Sequence, residues 1–276
     1  MYLDAIDKPG KPISLRDIDT DPPKKLQKDE ALAEQDKLEA ELFQLQELMW
    51  GAKQNSVLVV LQGRDTAGKD GAIKRVVGAL NPRGVHVASF GVPTEEEREH
   101  DFLWRIHKHT PRLGEFSVFN RSHYEDVLVV RVRKLLPEKV WRERYDHINS
   151  FEEVLAEHGC IILKFFLHIS KDEQKDRLIE REKDPTKAWK LNANDWRERD
   201  FWDDYTKANE DAISKCASKL APWHVVPANS KWYRNLAITE ALVKAMRPYQ
   251  DGWLETLKER GKIGRAELKA FKAKQK

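Results

Sequence analysis

Residues Val57-Leu58-Val59-Val60-Leu61 form an apolar, β-branched run that opens within two residues into Gly63-Arg64-Asp65-Thr66-Ala67-Gly68-Lys69. A strand apolar at every position must be covered on both faces, which calls for a parallel sheet between layers of helix. The Gly-x-x-x-x-Gly-Lys string lies between that strand and the helix-like Gly71-Ala72-Ile73-Lys74-Arg75-Val76-Val77. In this setting the backbone N–H groups make a nest for phosphate, and the lysine reaches the terminal phosphates. The bland reading, a glycine turn with an incidental lysine, does not explain why the string has a strand before it and a helix after it. One position departs from the usual pattern. Asp70 stands where a loop that hydrolyses nucleoside triphosphates carries the Ser or Thr that binds magnesium. A second acid, Asp65, stands inside the loop, and magnesium favours carboxylate oxygen together with waters and phosphate oxygens. The metal must therefore be held differently, with Asp65 as the candidate ligand.

Strand-like runs recur at Ser56–Gln62, Val85–Phe90, Phe116–Phe119, Ile161–Ile169 and His224–Pro227, with helical patterns near 70–80, 95–108, 122–156, 171–182 and 195–218. The strands read as apolar on both faces. Their alternation with helices predicts an α/β fold with a parallel sheet of about five strands and helices on both sides. Before it, residues 1–26 are polar and punctuated by Pro9, Pro12, Pro22 and Pro23, which predicts an extended arm rather than a packed element. From 27 to 50, Leu38, Leu42, Leu45 and Met49 share one face of an amphipathic helix. The main domain is expected over 27–250. Residues 251–276 form a basic terminal helix, with Lys258, Arg260, Lys262, Arg265, Lys269, Lys272, Lys274 and Lys276, that reads as a solvated face.

The 49 Lys and Arg nearly balance 46 Asp and Glu over 276 residues, so a general nucleic-acid binder, with its basic excess, is not expected. The longest apolar runs fall far short of a membrane span, and the stretch 161–167 is interrupted by Lys164. Cys160 and Cys216 lie far apart in no metal-like spacing, and no His or Cys cluster suggests zinc. These features predict a soluble, cytoplasmic protein with reduced, buried thiols.

Two further constellations bear on chemistry. Phe116-Ser117-Val118-Phe119-Asn120-Arg121 ends a strand, and ligands of open α/β sheets bind at that carboxyl end. Arg121 would offer a planar fork to phosphate oxygens there, though Asn120 and Ser122 would equally suit a helix cap. Arg131 and Arg133 are near enough in sequence to add positive potential. The stretch Arg177–Lys190, with Arg177 and Arg181 on one helical face followed by Pro185, Lys187 and Lys190, has the form of a lid over 177–200. An exposed helical hairpin with balanced charge is the other reading.

The combination of Gly63–Gly71, Ser89-Phe90-Gly91-Val92-Pro93-Thr94, Phe119–Val127, Leu163–Lys171, Ala221-Pro222-Trp223 and Trp232-Tyr233-Arg234-Asn235 resembles the polyphosphate kinase 2 family, most of all its class III branch. The resemblance implies a P-loop kinase fold with a helical lid. It implies inorganic polyphosphate as phosphoryl donor, ADP and AMP as acceptors with other nucleotides conceivable, magnesium or manganese as cofactor, and a homo-oligomer. The 27–50 helix is a candidate contact between copies unless its apolar face packs on its own domain. The family's loop Asp and Lys fall on Asp65 and Lys69, its Asp-Arg pair on Asn120-Arg121, and its lid cations on Arg177–Lys190. Asp65, Lys69 and Arg121 are thus expected to be catalytic. Gly63, Ala67, Gly68, Asp70, Lys74, Arg75, Arg131, Arg133, Arg177, Arg181, Lys187 and Lys190 are expected to line the phosphate path. Many relatives carry Asp at 120, so Glu125 and Asp126 are the carboxylates expected to replace it in holding metal and, with Asn120, in choosing the acceptor. Two other readings compete. One is an ATP-dependent nucleoside monophosphate kinase of thymidylate-kinase type, against which the missing hydroxyl at 70 argues. The other is a non-catalytic nucleotide-binding regulator, against which the joint presence of Asp65, Lys69 and Arg121 argues.

Overall fold

The computed structural model describes residues 2–275. Five strands, β1 (Ser56–Gly63), β2 (Val85–Ser89), β3 (Phe116–Asn120), β4 (Cys160–His168) and β5 (Trp223–Pro227), form one sheet in the order β2-β3-β1-β4-β5, with every pairing parallel. Val57 to Leu61 are at most 3% exposed, so the apolar run is the central strand. One face of β1, carrying Val57, Val59 and Leu61, packs under α1 (Lys28–Ala52), α2 (Lys69–Val76) and α10 (Lys231–Met246). The other, carrying Leu58 and Val60, packs against α5 (Glu125–Val132), α6 (Glu138–Glu157) and α9 (Trp202–Lys215). The remaining helices are α3 (Glu95–Glu99), α4 (Trp104–His107), α7 (Lys171–Lys183), α8 (Ala193–Arg197) and α11 (Gln250–Ala273).

Four expectations change. The strand at 85–90 is not apolar on both faces: β2 is a sheet edge that leaves His86 and Val87 exposed. The single helical stretch foreseen over 122–156 is two helices, broken where Lys134 takes a positive φ of 53° and Pro137 follows. The N-terminal arm is extended, as its prolines dictate, yet it is packed. Ile6 bridges antiparallel to Trp223, and Leu3 and Leu15 bury 94% or more of their surface, being 6% and 2% exposed. These two leucines stand in short clusters, Tyr2–Ile6 and Ile13–Ile18, too brief and too far apart to give a periodic signal. The apolar face of α1 is consumed within the chain, where Leu38, Leu42, Leu45 and Met49 join the core beside α10. It is therefore not available as a contact between copies.

Cys160 and Cys216 are buried and unpaired, and burial pushes both thiols up to about 12. Residues 262–275 are exposed, as a solvated basic face would be, and Lys276 lies outside the described residues. Among the described residues no helix is long and apolar enough to cross a membrane.

Candidate active site

Because every strand runs the same way, the loops after β1, β3, β4 and β5 emerge along one edge of the sheet, and the candidate residues meet there. The loop after β1 turns sharply through two glycines. Gly68 has a φ of +99°, and a Cβ there would overlap the guanidinium of Arg234. Gly63 has a φ of +153°, and a Cβ would come within 2.9 Å of the Leu167 carbonyl oxygen on β4. Both positions require glycine for conformation and for close approach.

Lys69, only 9% exposed, folds its ammonium back to donate to the carbonyls of its own loop, Gly63 at 2.7 Å and Arg64 at 3.2 Å. Burial draws its pKa below the ordinary lysine value, with the carboxylates of Asp65, Glu125 and Asp70 pulling it back up. Arg121, at the end of β3, donates from Nη2 to Asp65 Oδ1 at 2.8 Å. Its backbone is in the left-handed region at φ 63°, which tilts the side chain across the loop. Burial works against the charge on Arg121, but Glu125 and Asp65 outweigh it and raise its pKa.

Asp65 and Arg121 form the wall between two cavities. On one side is an open cavity of about 450 Å3, into which eight cationic side chains face: Lys69, Arg121, Arg177, Arg181, Lys187, Lys190, Lys231 and Arg234. Among the described residues three carboxylates, Asp65, Asp70 and Glu180, share that lining. Gly68, Gly71 and Asn120 complete its floor. On the other side is a cavity of about 370 Å3 with a different chemistry, where Asp65, Glu125, Asp195 and Glu198 meet the amides Gln62, Asn192, Asn194 and Asn209 and the apolar Val92, Leu128 and Val129. Glu125 accepts from Gln62 Nε2 at 3.1 Å, and burial raises its pKa, with Arg121 opposing.

The segment between α7 and α9 roofs both cavities. It is a 3-10 turn at Pro185–Lys190, then α8 and a second 3-10 turn at Glu198–Phe201. Its ties include the ion pairs Arg181 to Asp195 at 2.7 Å and Lys190 to Asp70 at 2.6 Å, beside hydrogen bonds from Trp196 to Glu182 and from Arg199 to Gln174. Asp70 thus uses the place of the usual hydroxyl to hold the roof. Lys190, with Asn120 as a second donor at 3.0 Å, lowers its pKa. The Asp70 carboxylate is 64% exposed, so this tie contributes at most about 1 kcal/mol and a phosphate can compete for Lys190.

Several residues assigned to the phosphate path from sequence lie elsewhere. Arg131 pairs with Asp211 at 2.6 Å and stacks on Trp141. Arg133 pairs with Glu198 at 2.7 Å and lies over Phe201, which anchors the roof from below. Arg75 turns back to Asp36 and Glu39 on α1, at 2.9 and 2.8 Å. Lys74 is exposed on α2 outside the cavity lining. Helical rotation accounts for these cases: a side chain within a turn or two of a site residue points to a neighbouring element, as Arg75, Arg131 and Arg133 do, or to solvent, as Lys74 does. Asp126 is corrected likewise. It is clasped by Arg144 at 2.8 Å and Arg105 at 3.4 Å, facing away from the loop, whereas its neighbour Glu125 faces in.

Arg177 does line the cationic cavity, but its donors are spent on backbone. Nη1 donates to the Thr66 and Ala67 carbonyls at 2.9 and 3.2 Å, Nη2 to those of Ala228 and Asn229 at 2.7 Å, and Nε to Glu173 at 2.7 Å. It clamps the loop, including the buried Ala67, to the end of β5. Arg234 is the opposite case. It is 3% exposed, meets among the described residues only the Asn235 side chain, at 2.8 Å, and lies beside Gly68, Gly71 and the like-charged Arg177. Burial and Arg177 push it down to about 10. A guanidinium held at the start of α2 without a carboxylate is arranged for an anion. Sequence reading did not assign Arg234, Lys231, Glu180 or Asp195 to the site. The signal for the first two was present, since they sit three apart at the start of the helix that follows β5.

No three His, Cys, Asp or Glu side chains converge on a metal position among the described residues. Magnesium does not need such a cage, because it takes one or two carboxylates with phosphate and water oxygens. Asp65 and Glu125, which both act on Lys69 and both border the second cavity, are a donor set of that kind.

A phosphate loop after the central strand, a roof tied to it and a cationic cavity joined to a carboxylate-rich one define a phosphotransferase of the P-loop kinase class. Polyphosphate kinase 2 is the family whose sequence model matches residues 25–251, and the chain belongs to that family. The chain is 54% identical over 209 residues to an AMP/ADP-polyphosphate phosphotransferase of Meiothermus ruber, covering 76% of this chain and 78% of the relative. It is 40% identical over 233 residues to an ADP-polyphosphate phosphotransferase of Rhodopseudomonas palustris, covering 80% and 81%. Its fold matches the crystal structure of polyphosphate kinase 2 from Arthrobacter aurescens with a TM-score of 0.85 at 43% identity, covering 88% of each chain.

Arg234→Met should raise the melting temperature without ligand, because it removes a buried charge that has no counter-charge. It should also reduce the stabilisation that tripolyphosphate confers on the wild type. Thermal melts with and without tripolyphosphate check this, and an unchanged ligand-induced shift would count against an anion at Arg234.

Proposed function

We propose that this protein transfers a phosphoryl group from inorganic polyphosphate to ADP and to AMP, forming ATP and ADP, with magnesium. The observation that carries the reading is the joined pair of cavities. An elongated polyanion has no base or ribose to recognise, and the cationic cavity offers it charge without pockets for either. The second cavity, with its amides, carboxylates and apolar wall, suits a nucleotide. Asp65 and Arg121, on the shared wall, would lie where the two phosphates meet. The family and the names of the relatives support the same donor and acceptors.

In the reaction a terminal phosphate oxygen of the nucleotide attacks the last phosphorus of the chain, and the bridging P–O bond breaks to leave polyphosphate shorter by one phosphate. The attacking oxygen is already ionised, so no general base is required. Positioning and stabilisation of charge supply most of the acceleration in such transfers. Lys69 would leave the carbonyls of Gly63 and Arg64 to meet the transferring group. Arg121 would bridge donor and acceptor, while Arg234 and Lys231 hold the chain behind them. Asn120 and Glu125 would face the acceptor, which gives them the choice between mono- and diphosphate. Asp65 and Glu125 would hold the magnesium. When bound it would neutralise phosphate charge in addition to what the side chains supply.

Long-chain polyphosphate, magnesium and ADP, mixed with the protein in the absence of ATP, should yield ATP, and AMP should yield ADP. Product with ATP but not polyphosphate as donor would make it a nucleoside monophosphate kinase instead. Turnover with neither donor would leave only a binding role. Lys69→Ala should lower kcat by about 10²–10³ with little change in melting temperature. Asp65→Asn should raise the magnesium concentration needed for half-maximal rate, because it keeps the shape and loses the anionic oxygen. A titration of rate against magnesium that matches wild type would transfer the metal to Glu125.

A further inference from the structure

Arg121 and Glu125 face the cavities, and each is tied by its side chain only to groups that border them, Asp65 and Gln62 among the described residues. The anchors are the residues between them. Ser122, His123 and Tyr124 are all 0% exposed, and the last two end on one group. Glu152 Oε1, from α6, accepts from the Tyr124 hydroxyl at 2.8 Å and lies 3.2 Å from His123 Nε2. Its other oxygen, Oε2, accepts from Lys164 Nζ at 2.5 Å. Lys164, 0% exposed in the middle of β4, also donates to the Tyr124 hydroxyl at 2.9 Å and to the Cys216 carbonyl at the end of α9 at 2.5 Å. Four elements, β4, α5, α6 and α9, thus meet in one buried polar knot directly below the turn.

Stability does not account for the knot. Lys164 stands in a strand otherwise made of Cys, Ile, Leu, Phe and a terminal His, where an aliphatic residue would pack at no desolvation cost. A buried ion pair is often no better for stability than well-packed apolar groups, and its best attested use is to set register. Burial resists ionisation of Glu152, yet Lys164 and His123 hold its carboxyl below the usual range, so it stays an acceptor for the turn. Among the described residues the turn has two further side-chain ties, each to the β1 strand or its loop and each made by a cavity-facing group: Gln62 Nε2 to Glu125 Oε1 at 3.1 Å and Arg121 Nη2 to Asp65 Oδ1 at 2.8 Å. Its backbone bonds are local or to β1, among them Tyr124 N–H to Ser122 Oγ at 3.2 Å, Glu125 N–H to the Ser122 carbonyl at 3.0 Å, and Arg121 N–H to the Leu61 carbonyl at 3.0 Å.

We propose that Lys164, Glu152 and Tyr124 are positioning residues that set where Arg121 and Glu125 stand, acting on the reaction through those two side chains without touching substrate. This rests on the functional reading given above for Arg121 and Glu125. Displacement of reacting groups by about 1 Å can cost two orders of magnitude in rate, so a turn that slides or breathes is a catalytic fault even in a folded protein.

Tyr124→Phe is the discriminating variant, because it deletes one hydroxyl and leaves Lys164 with Glu152 and the Cys216 carbonyl. Kinetics, thermal melts and hydrogen exchange should be run beside wild type. The expected result is a kcat lower by about tenfold for both acceptors, with KM for polyphosphate within about twofold of wild type. The KM stays because Arg181, Lys190, Lys231 and Arg234 stand on other elements. Amides of 121–125 should exchange about five- to tenfold faster, with β1 and β4 unchanged. Exchange in 121–125 equal to wild type overturns the proposal, and so does an unaltered kcat. A loss of rate matched by an equal loss of folded protein also overturns it. If wild type itself turns over nothing with polyphosphate, the functional reading fails, and the exchange experiment still decides whether the knot holds the turn.

Discussion

The structure depends on the fact that β1 has no polar face. Val57 to Leu61 offer water nothing, so β1 must lie in the middle of a sheet with strands on either side and helices above and below. Parallel neighbours follow, and with them a single edge at which all the strands end. The phosphate loop is therefore flanked by the ends of β3 and β4 and reached by the loop after β5. Arg121 comes from β3, Arg177 from the helix after β4, and Lys231 with Arg234 from the helix after β5. The cationic cavity is a consequence of strand order as much as of composition.

Electrostatics then divides the labour among the cations. Arg177 spends all its donors on protein acceptors and gives the loop its shape. Arg131, Arg133 and Arg75 pair with carboxylates and tie helices together. Among the described residues Arg234 has no acid to meet, and Lys69 hydrogen-bonds to loop carbonyls with the carboxylates of Asp65, Glu125 and Asp70 only nearby. Desolvating a cation without a counter-charge is costly, and a phosphate chain entering the cavity would relieve that cost. Cations that lack a close carboxylate, or are held by one in an exposed pair, are therefore the ones suited to grip a ligand, while Arg177, Arg131, Arg133 and Arg75 support them.

Asp70 shows how one substitution in a familiar loop can be reused. A hydroxyl at that place would serve a metal. A carboxylate there instead accepts from Asn120 and Lys190, so the roof is tied to the loop by a surface pair weak enough for a polyanion to replace. The neighbours Glu125 and Asp126 make a similar point at closer range. Adjacent on one helix, they face different surroundings, one a cavity and the other two arginines.

Sequence alone determined the central strand, the loop, the parallel α/β class and the position of the β3 end beside that loop, because these rest on local patterns of apolarity and glycine that do not depend on distant partners. Its motif combination also carried the family. Helix breaks such as Lys134–Pro137 were legible in principle and lost in a long amphipathic pattern. What only tertiary structure decided was direction: which basic side chains face the cavity, which carboxylate of 125 and 126 does so, and how Leu3 and Leu15 pin the arm. A side chain's direction depends on the rotation of its helix and on the partner it meets across the fold, and neither is encoded within a few residues of it. The knot of Lys164, Glu152 and Tyr124 is the extreme case, since its members lie 28 and 40 residues from Tyr124 and gain meaning only when β4 is placed beneath the turn.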